Sequence, residues 1–157
     1  MKVILLDVDG VINSGNNMKR NAQLKRTCET MYFDSECMRL LKKLVQNTGA
    51  KLILSSDWRF PEPRTHSICH LQNLLSRLAD YELGLNGQTG EAQFSRNEEI
   101  NAWLQEHPEV ESYVILDDVN DDFQGENLRR LVLTNEIVGL TATDAQKAER
   151  ILMELMV

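Results

Sequence analysis

Short apolar runs alternate with longer stretches of helical periodicity along the chain. The apolar runs cover residues 2–8, 51–55, 113–116 and 131–134, and each is nearly continuous in apolar side chains. Strands that are buried on both faces have this appearance, because helices cover both sides of a parallel sheet. The alternation therefore predicts an α/β fold of three layers, in which a parallel sheet lies between two layers of helices.

Capping signals mark the ends of the predicted helices. Asp34 is a candidate N-cap, and the apolar residues after it keep a 3.6-residue period as far as Gly49. The stretch SRNE at 95–98 matches a capping box and begins a second helix. Further helices are expected over residues 68–78 and 143–156.

Length and composition fit one folded domain. With 157 residues, of which 42% are hydrophobic and 26% are charged, the chain can form a single substantial core. We expect residues 1–157 to form this domain, with the polar segment 13–32 as a candidate flap insertion. The three cysteines are odd in number and have no paired spacing, which favours free thiols and a cytoplasmic location.

Charge and hydropathy argue against two classes of partner. The net charge of −7 disfavours long duplex nucleic acid, because binding of its phosphate backbone usually needs a basic face. No apolar run approaches the roughly 20 residues that a membrane-spanning helix needs, so we expect no membrane partner. A short nucleic-acid end stays open as a ligand.

Acidic and hydroxyl side chains follow three of the predicted strands. They form the stretches Asp7-Val8-Asp9-Gly10, Ser55-Ser56-Asp57 and Asp117-Asp118. Ligands of open α/β sheets bind beyond the carboxyl ends of the strands, so these side chains are expected to meet at one edge. Crowded carboxylates repel each other strongly unless a cation lies between them. Oxygen ligands of this kind suit Mg²⁺, which is the cofactor that the sequence predicts.

The order of these residues resembles the motifs of the haloacid dehalogenase (HAD) superfamily, a large group of Mg²⁺-dependent phosphohydrolases. The resemblance implies a Rossmann-like HAD fold with little or no cap. It also implies that Asp7 is a nucleophile, Asp9 a general acid and base, Ser55 the hydroxyl of the second motif and Arg96 the basic residue of the third. The reaction implied is hydrolysis of a phosphate monoester through an aspartyl-phosphate intermediate.

The resemblance also suggests the metal ligands. These are Asp7, the carbonyl group of Asp9, and acids of the fourth motif among Asp117, Asp118 and Asp122. Asp118 fits a direct ligand better, because Asp118 and Asp122 reproduce an Asp-x-x-x-Asp spacing that related enzymes have. Asp117 and Asp122 would then have supporting positions, and the choice among the three stays open.

The residues expected to bind the substrate phosphate are Gly10, Ser56 and Arg59. Gly10 contributes loop amides, and Arg59 follows the second motif at the rim of the expected cleft. Either Ser55 or Ser56 is the phosphate-binding hydroxyl, and Ser55 is preferred because it directly follows the apolar run.

Three longer stretches are similar to the small HAD-type domain of Swiss Army Knife RNA repair proteins. They are SSDWR, SRNEEINAWL, and VILDD followed by VGLT. We therefore expect the substrate to be a small phosphorylated molecule, a nucleotide or the terminal phosphate of a nucleic acid. The alternative is a non-catalytic, receiver-like phosphoacceptor module. A receiver, however, has its acidic pair after the first strand and its phosphoacceptor in the middle of the chain. Here Asp7 and Asp9 come first, and the acidic pair Asp117-Asp118 comes late.

Overall fold

The computed structural model describes residues 1–91 and 95–156 of the chain. Its strands are β1 (Lys2–Leu6), β2 (Lys51–Leu54), β3 (Leu85–Gln88), β4 (Ser112–Asp117) and β5 (Leu131–Leu133). They form one parallel sheet in the order β3-β2-β1-β4-β5. Leu6, at the end of the central strand, lies opposite both Leu54 and Leu116. The three inner strands therefore end at the same level.

Helices cover both faces of this sheet. One layer contains α2 (Ser35–Thr48), α3 (Cys69–Asp80) and α6 (Ala142–Met153), whose apolar residues share a core with Ile4 and Leu6. The other contains α4 (Arg96–Glu106), which shares a second core with Val3 and Leu5. Successive side chains of a strand point to opposite faces, so β1 contributes to both cores. The predicted α/β fold is confirmed.

The predicted caps of two helices are also present. The Asp34 side chain accepts hydrogen bonds from backbone amides at the start of α2, and Gly49 ends this helix with a φ of 67°. Ser95 Oγ accepts a hydrogen bond of 3.2 Å from the amide of Glu98 and begins α4. This cap fixes Arg96 as the first residue of α4, beside the carboxyl edge of the sheet.

Among the described residues, one strand and two α-helices were not predicted: β3, α1 (Gly15–Gln23) and α5 (Gly125–Arg129). The sequence of β3 is LNGQ, which is short, polar and mostly exposed, as an edge strand can be. Helix α1 lies inside the polar segment 13–32, and Asn17 and Asn21 donate hydrogen bonds to the carbonyl of Tyr32. These bonds fold the segment back on itself.

Two further expectations concern membranes and thiols. Across residues 1–91 and 95–156, no helix has both the length and the apolar character needed to span a bilayer. The structure has Cys28, Cys37 and Cys69 as free cysteines. Burial raises the pKa of the Cys37 thiol to about 12, so this side chain is an uncharged part of the core.

Candidate active site

The hydrogen-bonded ladder continues one residue beyond the ends of the inner strands. The amide of Asp7 donates to the carbonyl of Leu116 at 3.0 Å, and the amide of Ser55 donates to the carbonyl of Leu6 at 2.9 Å. Asp7, Ser55 and Asp117 therefore lie side by side at the carboxyl edge of the sheet. This is the edge where the sequence predicted a ligand site.

The turn after β1 depends on Gly10. Its φ is +79°, a conformation that glycine adopts without strain, and the amides of Val11, Ile12 and Asn13 all donate to the carbonyl of Val8. A Cβ atom on Gly10 would lie 2.5 Å from Cγ of Asp118. Only glycine allows this close approach of the Asp118 carboxylate to the turn.

Three carboxylates meet at this edge: Asp7, Asp117 and Asp118. One oxygen from each lies within 4.8 Å of the others. Asp7 is 6% exposed and Asp117 is fully buried, whereas Asp118 is half-buried. Burial and the neighbouring Asp117 raise the pKa of Asp7 to about 7, although Arg96 opposes the shift. The cluster is compatible with a bound divalent cation, which would stabilise the ionised carboxylates.

Arg96 is the cation that the structure brings to these acids. Its Nη1 lies 2.6 Å from Oδ2 of Asp117 and 3.6 Å from Oδ1 of Asp7. Burial alone would lower the pKa of the guanidinium, but the charges of Asp117 and Asp7 outweigh burial and raise it. Because Asp117 is held by Arg96, the carboxylates of Asp7 and Asp118 are the better placed of the three for a cation.

Asp9 lies on the same turn, but its side chain is exposed. Each of its carboxylate oxygens accepts one hydrogen bond. Nδ2 of Asn13 donates to Oδ1 at 2.8 Å, and Nε1 of Trp58 donates to Oδ2 at 3.0 Å. These two neutral donors hold the carboxylate in one orientation.

The two serines after β2 have different surroundings. Ser56 Oγ accepts a hydrogen bond of 3.1 Å from the amide of Trp58 and caps the short 3₁₀ turn Asp57–Arg59. Ser55 Oγ is buried and has no hydrogen-bond partner among the described residues. A buried hydroxyl without a partner is costly unless a ligand supplies one. Of the two hydroxyls, that of Ser55 is the one without a hydrogen-bond partner among the described residues.

Arg59 does not fit the substrate-binding role predicted for it. Its side chain is fully buried, and Nη1 donates to the carbonyls of Ser55 and Ser56 at 2.7 and 2.8 Å. Nη2 lies 2.5 Å from Oε2 of Glu99 on α4. Arg59 therefore braces the loop after β2 against α4. Asp122, the other acid considered in the fourth motif, is exposed and lies outside the three-carboxylate cluster.

A family model described as the HAD domain in Swiss Army Knife RNA repair proteins matches residues 3–145. The chain belongs to this HAD family. Comparisons with curated proteins and with solved structures gave no significant match. Membership of the HAD family confirms the resemblance seen in the sequence and supports a HAD-type phosphohydrolase.

Sequence reasoning missed two residues of this HAD site. Nδ2 of the Asn13 side chain and the indole N–H of Trp58 both donate hydrogen bonds to the Asp9 carboxylate, yet neither residue was assigned to the site. Asn13 lies four residues after Asp9, and a tight turn brings residues at this spacing into contact. The sequence therefore contained a local signal for the contact between Asn13 and Asp9. Trp58 lies 49 positions from Asp9, and no local pattern indicates that contact.

Proposed function

We propose that this chain is a Mg²⁺-dependent phosphohydrolase that cleaves a phosphate monoester through an aspartyl-phosphate on Asp7. The observation that supports this most strongly is the meeting of Asp7, Asp117 and Asp118 with Arg96 at the carboxyl edge of the sheet. The site thus has a nucleophile, acids suited to a cation and a fixed positive charge within a few ångströms.

Asp7 is the proposed nucleophile. A carboxylate oxygen of Asp7 attacks phosphorus in line, the bond from phosphorus to the leaving oxygen breaks, and the phosphoryl group is transferred to Asp7. Arg96, 3.6 Å from Asp7, reduces the repulsion between the anionic nucleophile and the anionic substrate. Ser55 Oγ, buried without a partner among the described residues, donates to a phosphoryl oxygen in this proposal.

Asp9 is the proposed general acid and base. Its proton moves to the leaving oxygen as that oxygen separates from phosphorus, so the leaving group departs as an alcohol. The carboxylate that results then takes a proton from the water that attacks phosphorus, and the bond from phosphorus to the Asp7 oxygen breaks, which releases phosphate and restores the Asp7 carboxylate. Its exposed position, two residues after the nucleophile, leaves it accessible to both the substrate and water.

The donor set fits Mg²⁺. Asp7 and Asp118 offer carboxylate oxygens, the carbonyl of Asp9 follows on the same turn, and Asp117 supports them through Arg96. All of these are hard oxygen ligands, and the close packing of Gly10 against Asp118 leaves no room for a side chain between them. When bound, Mg²⁺ neutralises charge on the carboxylates and polarises the phosphoryl oxygens.

The proposed substrate is a small phosphorylated molecule, a nucleotide or the terminal phosphate of a nucleic acid. The family takes its name from RNA repair proteins, which supports a nucleic-acid end. The net charge of −7 argues against recognition along a duplex. A reducing cytoplasm remains the expected setting, supported by the three free thiols.

The test is release of phosphate from p-nitrophenyl phosphate by the full chain. We expect turnover with Mg²⁺, none with EDTA, and loss of at least about 10³-fold in kcat for Asp7→Asn, because removal of a nucleophile abolishes the covalent route. Asp121→Asn is the matched control, since it makes the same chemical change at an exposed acid three residues after Asp118. Full activity of Asp7→Asn would contradict the proposal. A long-lived phosphorylated Asp7 without turnover would support the receiver-like alternative.

A further inference from the structure

We infer that Trp58 and Asn13 are positioning residues that orient Asp9 for proton transfer to the leaving group. The inference rests on the proposed function, since it assigns these side chains a role in that reaction. The juxtaposition that carries it is one N–H donor on each oxygen of the Asp9 carboxylate, at 3.0 Å from Trp58 and 2.8 Å from Asn13.

The Trp58 donor is fixed by packing on both sides. Trp58 lies on the 3₁₀ turn after β2, where its amide donates to Ser56 Oγ. Its ring packs against Phe33 at a centroid distance of 5.4 Å and edge-on against His70 at 5.6 Å. Nε2 of His70 is itself 2.8 Å from the carbonyl oxygen of Phe60. The indole N–H therefore has a defined direction before substrate arrives.

The Asn13 donor is fixed by a chain of hydrogen bonds. Nδ2 of Asn17 donates to Oδ1 of Asn13 at 3.0 Å and to the carbonyl of Tyr32 at 2.7 Å. The oxygen of the Asn13 amide is thus occupied, and its NH₂ group faces Asp9. Asn13 and Asn17 are 3% and 7% exposed, so these hydrogen bonds lie beneath the surface of the protein.

The N–H donors of Trp58 and Asn13 together form a clamp on the Asp9 carboxylate. The clamp is useful because Asp9 itself is exposed. An exposed carboxylate has several rotamers of similar energy, and each departure from the productive orientation slows proton transfer. Each carboxylate oxygen can accept about two hydrogen bonds, so the two N–H donors leave positions for a proton, a leaving oxygen or water. The clamp therefore selects an orientation and still leaves one acceptor position free on each reacting oxygen.

A change of leaving group separates this role from simple packing. p-Nitrophenolate is a stable anion that leaves without a proton, whereas the leaving group of phenyl phosphate depends more strongly on one. Trp58→Phe removes the N–H and keeps an aromatic ring. We expect kcat/KM, which reports phosphoryl transfer to Asp7, to fall about 10- to 100-fold for phenyl phosphate, part of the usual contribution of a general acid. For p-nitrophenyl phosphate the loss should stay below about threefold.

The matched control is Trp103→Phe, the same substitution at the chain's other tryptophan, which belongs to the core on the opposite face of the sheet. It should change kcat/KM by the same factor for both esters. Asn13→Ala is a second variant, and, like Trp58→Phe, it should lose more kcat/KM for phenyl phosphate than for p-nitrophenyl phosphate. In an Asp9→Asn background, Trp58→Phe should change kcat/KM less than about twofold, because the group that it positions is gone. Melting curves of every variant verify that it is folded.

The outcomes distinguish this inference from the proposed function. If the wild-type chain with Mg²⁺ hydrolyses neither ester, or if Asp7→Asn stays active, the proposed function fails. If the wild type is active and Asp7-dependent, but folded Trp58→Phe and Asn13→Ala lose the same factor on both esters, the positioning role is overturned. An undiminished effect of Trp58→Phe in the Asp9→Asn background would overturn it as well.

Discussion

Asp7→Asn is expected to stabilise the metal-free protein at alkaline pH. Burial and Asp117 raise the pKa of Asp7 from 3.8 to about 7, so the folded state holds the ionised carboxylate less favourably than the unfolded state does. This cost is absent below pH 4, grows as the pH rises toward 7, and is complete above it. At about 1.4 kcal/mol for each pH unit between the two pKa values, it reaches up to about 4 kcal/mol. Asparagine has nearly the same shape and carries no charge, so it avoids the cost.

The assay is thermal unfolding of both proteins in EDTA at pH 4 and pH 8. For a chain of this size, 4 kcal/mol corresponds to a rise in Tm on the order of 10 °C, expected at pH 8 and absent at pH 4. Addition of Mg²⁺ at pH 8 should raise the Tm of the wild type and have little effect on Asp7→Asn, because the ion stabilises the carboxylate that the variant lacks. Asp121→Asn controls for a general effect of removing one negative charge. An Asp7→Asn variant that melts at or below the wild-type temperature at pH 8 would refute this reasoning.

Three further substitutions have defined outcomes. Gly10→Ala adds a Cβ atom at a positive φ and against the carboxylate of Asp118, so it should lower the unfolding free energy measured in urea by about 1–2 kcal/mol. It should also abolish the rise in Tm that Mg²⁺ causes, and a retained rise would contradict the close approach of Asp118 to Gly10. Arg96→Met leaves the buried Asp117 without its 2.6 Å partner, and the unfolding free energy at pH 8 in EDTA should fall by about 3 kcal/mol, so unchanged stability would count against the ion pair. Arg59→Lys loses hydrogen bonds to two carbonyls and should lower stability by about 1–3 kcal/mol with an unchanged KM; a raised KM without loss of stability would restore a role in substrate binding.

The parts of the fold that sequence could predict are those with local causes. The caps at Asp34, Gly49 and Ser95 depend on residues within one turn of the chain, and the continuous apolar runs are sufficient to indicate four buried strands. The edge strand β3 was missed because its polar side chains and Gly87 lack both alternation and a long apolar run. The order of strands in the sheet depends on how crossovers pack, and periodicity contains no record of it.

In the candidate site, too, sequence could predict the residues whose positions have a local cause and could not predict the contacts that depend on tertiary packing. The acids and Ser55 directly follow apolar runs, so their meeting at one edge follows from strand geometry. Arg59 was assigned to the substrate because sequence shows the charge of a side chain but not its direction, and here the guanidinium points inward to two carbonyls. The contact of Trp58 with Asp9 needs the loop after β2 to fold over the turn after β1, which is a tertiary event without a local signal.

The central position of β1 has a consequence for native-state hydrogen exchange. The amide of Asp7 is bonded to the inner strand β4, while β3 and β5 at the rims of the sheet each have one neighbour only. Fraying of either rim strand leaves that amide covered, so deuterium should enter at Asp7 only when the whole chain opens. Its exchange rate would then report the global free energy of unfolding from inside the reaction centre, and a ligand that binds there should slow it in proportion to its affinity.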